Sequence, residues 1–528
     1  MRFGIDFGTT RIVVAAVDRG NYPLVSFDCP DGSSRDWFPA LAAFSVDSAS
    51  ERAYGWDAWA KQAEPGWATV RSLKRLLGET GPETPIRIGP HLFPALALYR
   101  ELATALRHAL LSRSNLSLPH GEALEIILGV PAHANSNQRF LTAEAFRLAG
   151  FEVLAMLNEP SAAAIEYGHR QKLTRDRILV YDLGGGTFDA SIVALSETER
   201  SVLASEGIAT LGGDEFDLVL AEMALESLGL DHTSLSQQQW FLLLEACREK
   251  KEALHPNSRK IEIDTEGILE PALRSTLPVS EFYERAWPLV AETLHATSDL
   301  IQQWGGLESL EAVYVTGGGS ELPLISRQLR EHFSRKVKRS AYMRAATAIG
   351  LAIHADHQSG YTLSERFHQF FGVWREADQG RRITFDPIFE KGLPLPVAGA
   401  APLLIERHYR PVHNIGHFRF LESTRITLDH QPAGEITYWD EILFPFDPLV
   451  ENAPDLAAIP VAHSSRAHHC QILERYLCDA GGRVTVEIHN LSTGYRRLYP
   501  LARWGRNSEP VTLGPNPSKR KTRKAPIA

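Results

Sequence analysis

A short pattern that occurs twice constrains this chain more than any other feature. Gly4-Ile5-Asp6-Phe7-Gly8-Thr9-Thr10 is followed by an apolar run. Val180-Tyr181-Asp182-Leu183-Gly184-Gly185-Gly186-Thr187 is followed by another at 190–195. Each copy reads as strand, aspartate, Gly/Thr hairpin and strand, with apolar runs too short for helices. Two copies of one supersecondary unit imply two similar lobes facing each other across a cleft. At 528 residues the chain also exceeds what one hydrophobic core organises, so further domains are expected.

Around the repeat, strands alternate with helices up to about residue 355, the pattern of an α/β fold. Strands are expected at 3–7, 11–17, 124–130, 177–183, 190–195 and 311–316, and helices at 94–112, 137–148, 161–169, 215–228 and 235–253. Beyond residue 370 short strands are separated by Gly, Pro, Asn and Asp, with a hairpin in 471–501 turning at Asp479-Ala480-Gly481-Gly482. The division expected is 1–355, a linker at 356–369, a β-sandwich-like domain at 370–512 and a basic tail at 513–528. That tail (Lys519-Arg520-Lys521-Thr522-Arg523-Lys524) reads as a solvated, disordered end.

A formal charge of −9 leaves no large basic surface, so nucleic acid is not an expected partner. The four cysteines form no closely spaced pair, which suits a reducing compartment. Met1 leads straight into a strand pattern, and no apolar run is long enough for a bilayer. A cytoplasmic protein without membrane contact is expected. His408, His413, His417, His463, His468 and His469, with Cys470 and Cys478, follow no standard metal-ligand spacing and read as ordinary side chains.

The chemistry lies in the hairpins. Glycines let backbone N–H groups converge into a nest for phosphate oxygens, and threonine hydroxyls add donors. A carboxylate beside such a nest repels phosphate unless a cation sits between them, so Asp6 and Asp182 imply magnesium, gripped largely through its water shell. Taken singly, each hairpin reads as an ordinary tight turn; one triphosphate held from both sides explains the pair. A third glycine stretch, Thr316-Gly317-Gly318-Gly319-Ser320, leaves a strand and would let a base or ribose lie against the main chain, with structural packing an even alternative.

In this order and spacing the three motifs resemble the actin, hexokinase and heat-shock ATPase superfamily. Several further segments resemble the heat-shock-protein-70 (DnaK-like) family. These are Ile127 to Gln138 with Arg139, Asn158-Glu159-Pro160-Ser161-Ala162-Ala163-Ala164, the run YDLGGGTFD at 181–189, Leu211-Gly212-Gly213-Asp214-Glu215-Phe216-Asp217, and Ser72-Leu73-Lys74-Arg75-Leu76-Leu77-Gly78. The resemblance covers the first 355 residues and continues more faintly through 371–396, 409–422 and 478–504. It implies an actin-like ATPase fold of two RNase H-like lobes followed by a β-sandwich, binding ATP or ADP with Mg2+. The function it implies is a slow ATPase coupled to unfolded or extended polypeptide, with co-chaperones or a nucleotide-exchange factor as further partners, in protein folding and stress response.

The site residues follow from that resemblance. Asp6 and Asp182 hold the hydrated metal, while Gly8, Thr9, Thr10, Gly184, Gly185, Gly186 and Thr187 receive the phosphates. Lys74 neutralises the γ-phosphate, and Glu159, Asp182 and Asp189 complete the catalytic set. Gly212 and Gly213 also bind the nucleotide, and Gly317, Gly318, Gly319 and Ser320 line its nucleoside. Arg248 and Lys251 reach the ribose, although a surface helix of mixed charge explains them equally. Without the resemblance, Lys74 is a solvated helix lysine and Glu159 an N-terminal charge favouring a helix dipole.

The chain also departs from the family. Glu252 and Glu321 stand where some members stack an arginine on adenine, so weaker nucleotide affinity or looser base preference is expected. The region 354–363 is polar where the family has a leucine-rich linker. The helical lid expected after the sandwich does not follow Trp504, which implies fast release of peptide. Competing readings are a filament-forming actin homologue, a sugar or acetate kinase, and a scaffold that binds nucleotide but scarcely turns it over.

Overall fold

The computed structural model describes residues 1–501 and 511–512, except 79, 120, 133, 135, 170–174, 196–199, 361–365, 368, 378–381, 397–399 and 480–481. The basic tail, Trp504, the centre of the linker and Ala480-Gly481 lie outside the described residues.

The sequence repeat becomes a structural one. Arg2–Phe7 pairs antiparallel with Arg11–Ala16, turning at the first Gly/Thr hairpin. Phe38–Pro39 lies beyond one strand, and Glu125–Val130 and Glu152–Asn158 add in parallel beyond the other. The second sheet repeats this order. Arg177–Leu183 pairs antiparallel with Phe188–Leu195 and then Arg200–Ile208, while Val313–Thr316 and Val337–Arg339 add in parallel.

Both inner strands are nearly continuous apolar runs because both sheet faces are covered. Ile5, Val14 and Leu128 pack with Leu98, Leu102 and Leu106 of the helix Ala95–Ser112. Leu179, Tyr181 and Ile192 pack with the helices Gly213–Leu228 and Val279–Gln303. Glu159–His169 lies on the second sheet through Ala163 and Ala164, Ala346–Ala355 lies on the first through Ala348 and Ala352, and the two helices pack together to join the lobes. This is the actin-like arrangement of two RNase H-like lobes.

The C-terminal region is a sandwich of two four-stranded antiparallel sheets. One runs Arg382–Phe389, Phe370–Ala377, Ile415–Ile426, Pro432–Pro445; the other Leu403–Tyr409, Ile472–Cys478, Val484–Asn490, Arg496–Pro500. Alternation along Val484–Asn490 points Val484, Val486 and Ile488 inward, against Phe371, Phe420 and Trp439 of the facing sheet. Phe367, within the expected linker, already belongs to this core and stacks on Phe389 at 4.8 Å. At the other side of that linker, His354 and Ala355 complete the helix Ala346–Ala355 that lies on the first sheet.

The sandwich carries a buried ion pair. Arg375 donates to Glu474 at 2.6 Å, and Tyr409 and Tyr476 each donate to Glu474 at 2.5 Å. Among the described residues no helix is long and apolar enough to cross a membrane.

Candidate functional site

The strand ends dictate the site. Antiparallel register sets Asp189 directly opposite Asp182 across the second hairpin, and parallel register sets Thr316 beside Asp182. In the first hairpin the residue opposite Asp6 is Val13, so the twin units carry unequal charge. Helix Glu159–His169 begins at its glutamate, with Pro160 fixing the backbone of the first turn. Lys74 sits in the short 3-10 turn Leu73–Leu76, entered through Ser72 at a left-handed φ of 60°.

The two hairpins face each other closely. A Cβ on Gly185 would lie 1.9 Å from Thr10 Oγ1, and one on Gly186 would lie 2.5 Å from Thr9 Cγ2. Thr10 Oγ1 is buried with no hydrogen-bond partner among the described residues, an orphaned donor aimed at the opposite hairpin. Such a group costs stability unless a ligand satisfies it. Gly185→Ala is therefore expected to weaken ADP binding, through an overpacking cost of about 1–3 kcal/mol, when titrated calorimetrically. Gly317 reaches Asp182 in the same way: its φ of 84° and a hypothetical Cβ only 2.3 Å from Asp182 Oδ1 both demand glycine.

One amine faces four carboxylates between these hairpins. Lys74 donates to Glu159 at 2.7 Å. Burial works against its charge, but Glu159 and Asp6 outweigh that and hold its pKa above the usual lysine value. Burial pushes Asp6 up to about 8, with Glu159 and Asp182 adding to the rise and Lys74 opposing it. Burial and then Glu159 push Asp182 up to about 6. Asp189 rises well above the carboxylate range through burial, Glu159 and Asp182. Carboxylates this crowded and desolvated call for more positive charge than one lysine supplies, and a hard divalent cation fits an all-oxygen donor set. Among the described residues no three acidic, histidine or cysteine groups converge closely enough to ligate one ion directly.

Most expected binding residues line the same cleft, including Gly8, Thr9, Thr10, Gly184, Gly185, Thr187, Gly213, Gly317, Gly318, Gly319, Arg248 and Lys251. Three do not. Ser320 is fully buried, and its hydroxyl donates to Thr316 O at 2.6 Å, so it braces the turn. Gly186 turns its carbonyl to Arg75, which donates at 2.5 Å. Gly212 packs behind the second hairpin, where a Cβ would strike Gly186 at 2.6 Å. Arg248 and Lys251 do line the cleft, but both are paired: Arg248 with Asp214 at 2.8 Å and Lys251 with Asp217 at 2.7 Å.

Several contributors escaped sequence reasoning. Arg75 donates to Glu215 at 2.9 Å and Ser72 to Asp214 at 2.8 Å, and Arg71 forms an ion pair with Glu245 at 2.5 Å, so one segment of the first lobe grips the second at three points. Arg11 adds a fourth, donating to Glu252 at 2.7 Å. The free volume left in the cleft is about 140 Å3. Small-molecule sites commonly offer about 300–1,000 Å3, so the cleft is narrow as it stands. A larger recess of about 740 Å3 lies in the first lobe beside Arg52, Glu101 and Asp57. It holds none of the motif residues, and Arg52 and Arg113 are already paired there with Glu101 and Asp57.

Glu252 and Glu321 do not leave their region without a cation. Both accept hydrogen bonds from Arg344, at 2.9 Å and 2.7 Å, and Arg344 lines the cleft.

Comparison with known proteins agrees with this geometry. Residues 118–368 match the family model described as Hsp70 protein. "Chaperone protein HscA homolog" of Colwellia psychrerythraea is 31% identical over 368 residues, 67% of this chain and 58% of that one. Its namesake in Pseudomonas aeruginosa is 33% identical over 374 residues, 68% and 58% of the two chains. "Chaperone protein HscA" of Klebsiella pneumoniae is 34% identical over 371 residues, 67% and 57%. The match thus spans somewhat over half the length of these relatives. With the twin RNase H-like lobes, the opposed hairpins and this match together, the chain belongs to the Hsp70 family.

Proposed function

We propose that this protein is an ATP-hydrolysing chaperone-like protein that couples nucleotide turnover to the binding of unfolded or extended polypeptide. In this reading residues 1–355 are the ATPase and 370–512 the polypeptide-binding domain. The observation that carries it is the convergence of Asp6, Glu159, Asp182 and Asp189 on Lys74 between two facing Gly/Thr hairpins. Relatives named as chaperones support the cellular role.

Asp6 and Asp182 are the residues to hold hydrated magnesium, which when bound supplies charge neutralisation at the phosphates. Thr10 donates its orphaned hydroxyl to a phosphate oxygen, and the hairpin amides complete the nest. Lys74 stands ready to trade its carboxylate partner Glu159 for the γ-phosphate. Once released, Glu159 and Asp189 are the carboxylates available to orient water. Positioning and charge compensation of this kind are what phosphoryl transfer requires of a protein.

ATP turnover measured with and without a library of extended apolar peptides tests the reading. The expected result is slow hydrolysis, abolished by EDTA and stimulated by peptide. Hydrolysis that ignores every peptide would favour a nucleotide-binding scaffold, and an absence of both binding and hydrolysis would remove the assignment.

A further inference from the structure

Two connections of the sandwich meet outside its sheets. Residues 410–414 join Leu403–Tyr409 to Ile415–Ile426, and residues 446–471 join Pro432–Pro445 to Ile472–Cys478. They pair antiparallel at His413 and His463. Asn414 N donates to Ala462 O at 2.9 Å and Ser464 N donates to Val412 O at 3.0 Å, so these main-chain bonds fall on either side of the histidines. That is the non-hydrogen-bonded kind of antiparallel pair, whose opposed side chains share a face and come closest. The imidazole centroids are 4.5 Å apart, with the rings tilted by 43°.

The backbone beneath the rings is fixed. Asn414 Oδ1 accepts from Ala462 N at 2.8 Å, and its Nδ2 donates to Pro460 O at 3.1 Å. The Asn414 carbonyl accepts from Phe446 N and Asp447 N, and buried Asp447 accepts from Ser464 Oγ at 2.6 Å. The rings stay within reach of solvent, His413 half-buried and His463 exposed. Glu376, near the end of Phe370–Ala377, places a carboxylate oxygen 3.4 Å from His413 Nδ1.

Imidazoles suit first-row transition ions, and two held side by side on a fixed backbone are organised to chelate one. A carboxylate on one ring nitrogen fixes the ring and leaves the other nitrogen for the metal. We propose that His413 and His463 chelate a divalent first-row transition ion such as Zn2+, with Glu376 as the positioning residue on His413 Nδ1. Among the described residues no third histidine, cysteine or carboxylate completes the set, so water fills the remaining positions and the site stays open. The bound ion ties the two connections together at this end of the sandwich. The site is independent of the nucleotide cleft, whose donors are oxygens, and it revises the reading of these two histidines as ordinary side chains.

The test is hydrogen exchange on the full-length chain, followed at 411–416 and 460–466 with Zn2+ or Mg2+. The amides of Asn414, Ala462 and Ser464 are hydrogen-bonded across the pair, so they exchange when the segments part. Zn2+ at about ten times its dissociation constant should slow them about tenfold, and Mg2+ should not. His413→Gln and His463→Gln should each abolish the slowing as fully as the double variant, since one imidazole cannot bridge the segments. Glu376→Gln should raise the Zn2+ needed for half the effect about tenfold, with metal-free exchange unchanged. Calorimetry should show each histidine variant losing one Zn2+ equivalent, which keeps the test decisive if a substitution itself loosens the segments. Parent exchange that ignores Zn2+, slowing that Mg2+ reproduces, or slowing that survives either single histidine variant would overturn the chelate.

Discussion

Replacing Lys74 with alanine should lower ATP turnover on the order of 10²–10³-fold, with protein concentration and fold unchanged. Lys74 is the amine that faces Asp6, Glu159, Asp182 and Asp189 among the described residues, so its loss leaves the developing phosphate charge without that cation. A second readout separates this role from simple damage. Removing a positive charge beside the carboxylates should raise Mg2+ affinity in the presence of ADP, whereas Asp6→Asn should lower it. Turnover by phosphate release and metal affinity by titration check both. Parent-like hydrolysis in Lys74→Ala would take the lysine out of the chemistry.

The second large effect lies in the sandwich. Arg375→Met should cost about 3–5 kcal/mol of that domain's stability, because Glu474 is fully buried and loses its cation. Tyr409 and Tyr476 still donate to it, but hydroxyl groups cannot balance the charge. Asp386 is less affected, since Arg407 remains 3.0 Å away. Adding Glu474→Leu should restore most of the loss, since a pair removed together leaves no orphaned ion. Hydrogen exchange along Ile472–Cys478 in urea reads this domain apart from the ATPase lobes. Additive losses in the double variant would mean that the pair is not the source.

The hairpins were legible because everything that makes them is local: an apolar strand, an aspartate at its end, and consecutive glycines and threonines. The repeat then dictated two lobes before any contact was known, and the Val484, Val486, Ile488 alternation gave one face of the sandwich. Longer-range features were not legible. Arg344 is 92 residues from Glu252, and no spacing rule joins them. The grip of Arg71, Ser72 and Arg75 on the second lobe depends on partners 140 or more positions away. Val279–Gln303, the longest helix among the described residues, contains Pro288, which interrupts a helix-like periodic pattern. Ser320 shows the opposite error. It sits in a glycine motif, yet a buried hydroxyl finds the nearest carbonyl, and Thr316 provides it.

One feature of the sandwich bears on how force could pass through the molecule. Val511–Thr512 adds as a parallel strand to Pro85–Ile88 of the first lobe, and Arg483 reaches Glu144 at 3.1 Å and covers Phe140. Entering after Ala346–Ala355 and returning to the first lobe, the sandwich is suspended between two bearings instead of swinging from a single tether. A body mounted in that way is restricted chiefly to rocking about the line between its mounts.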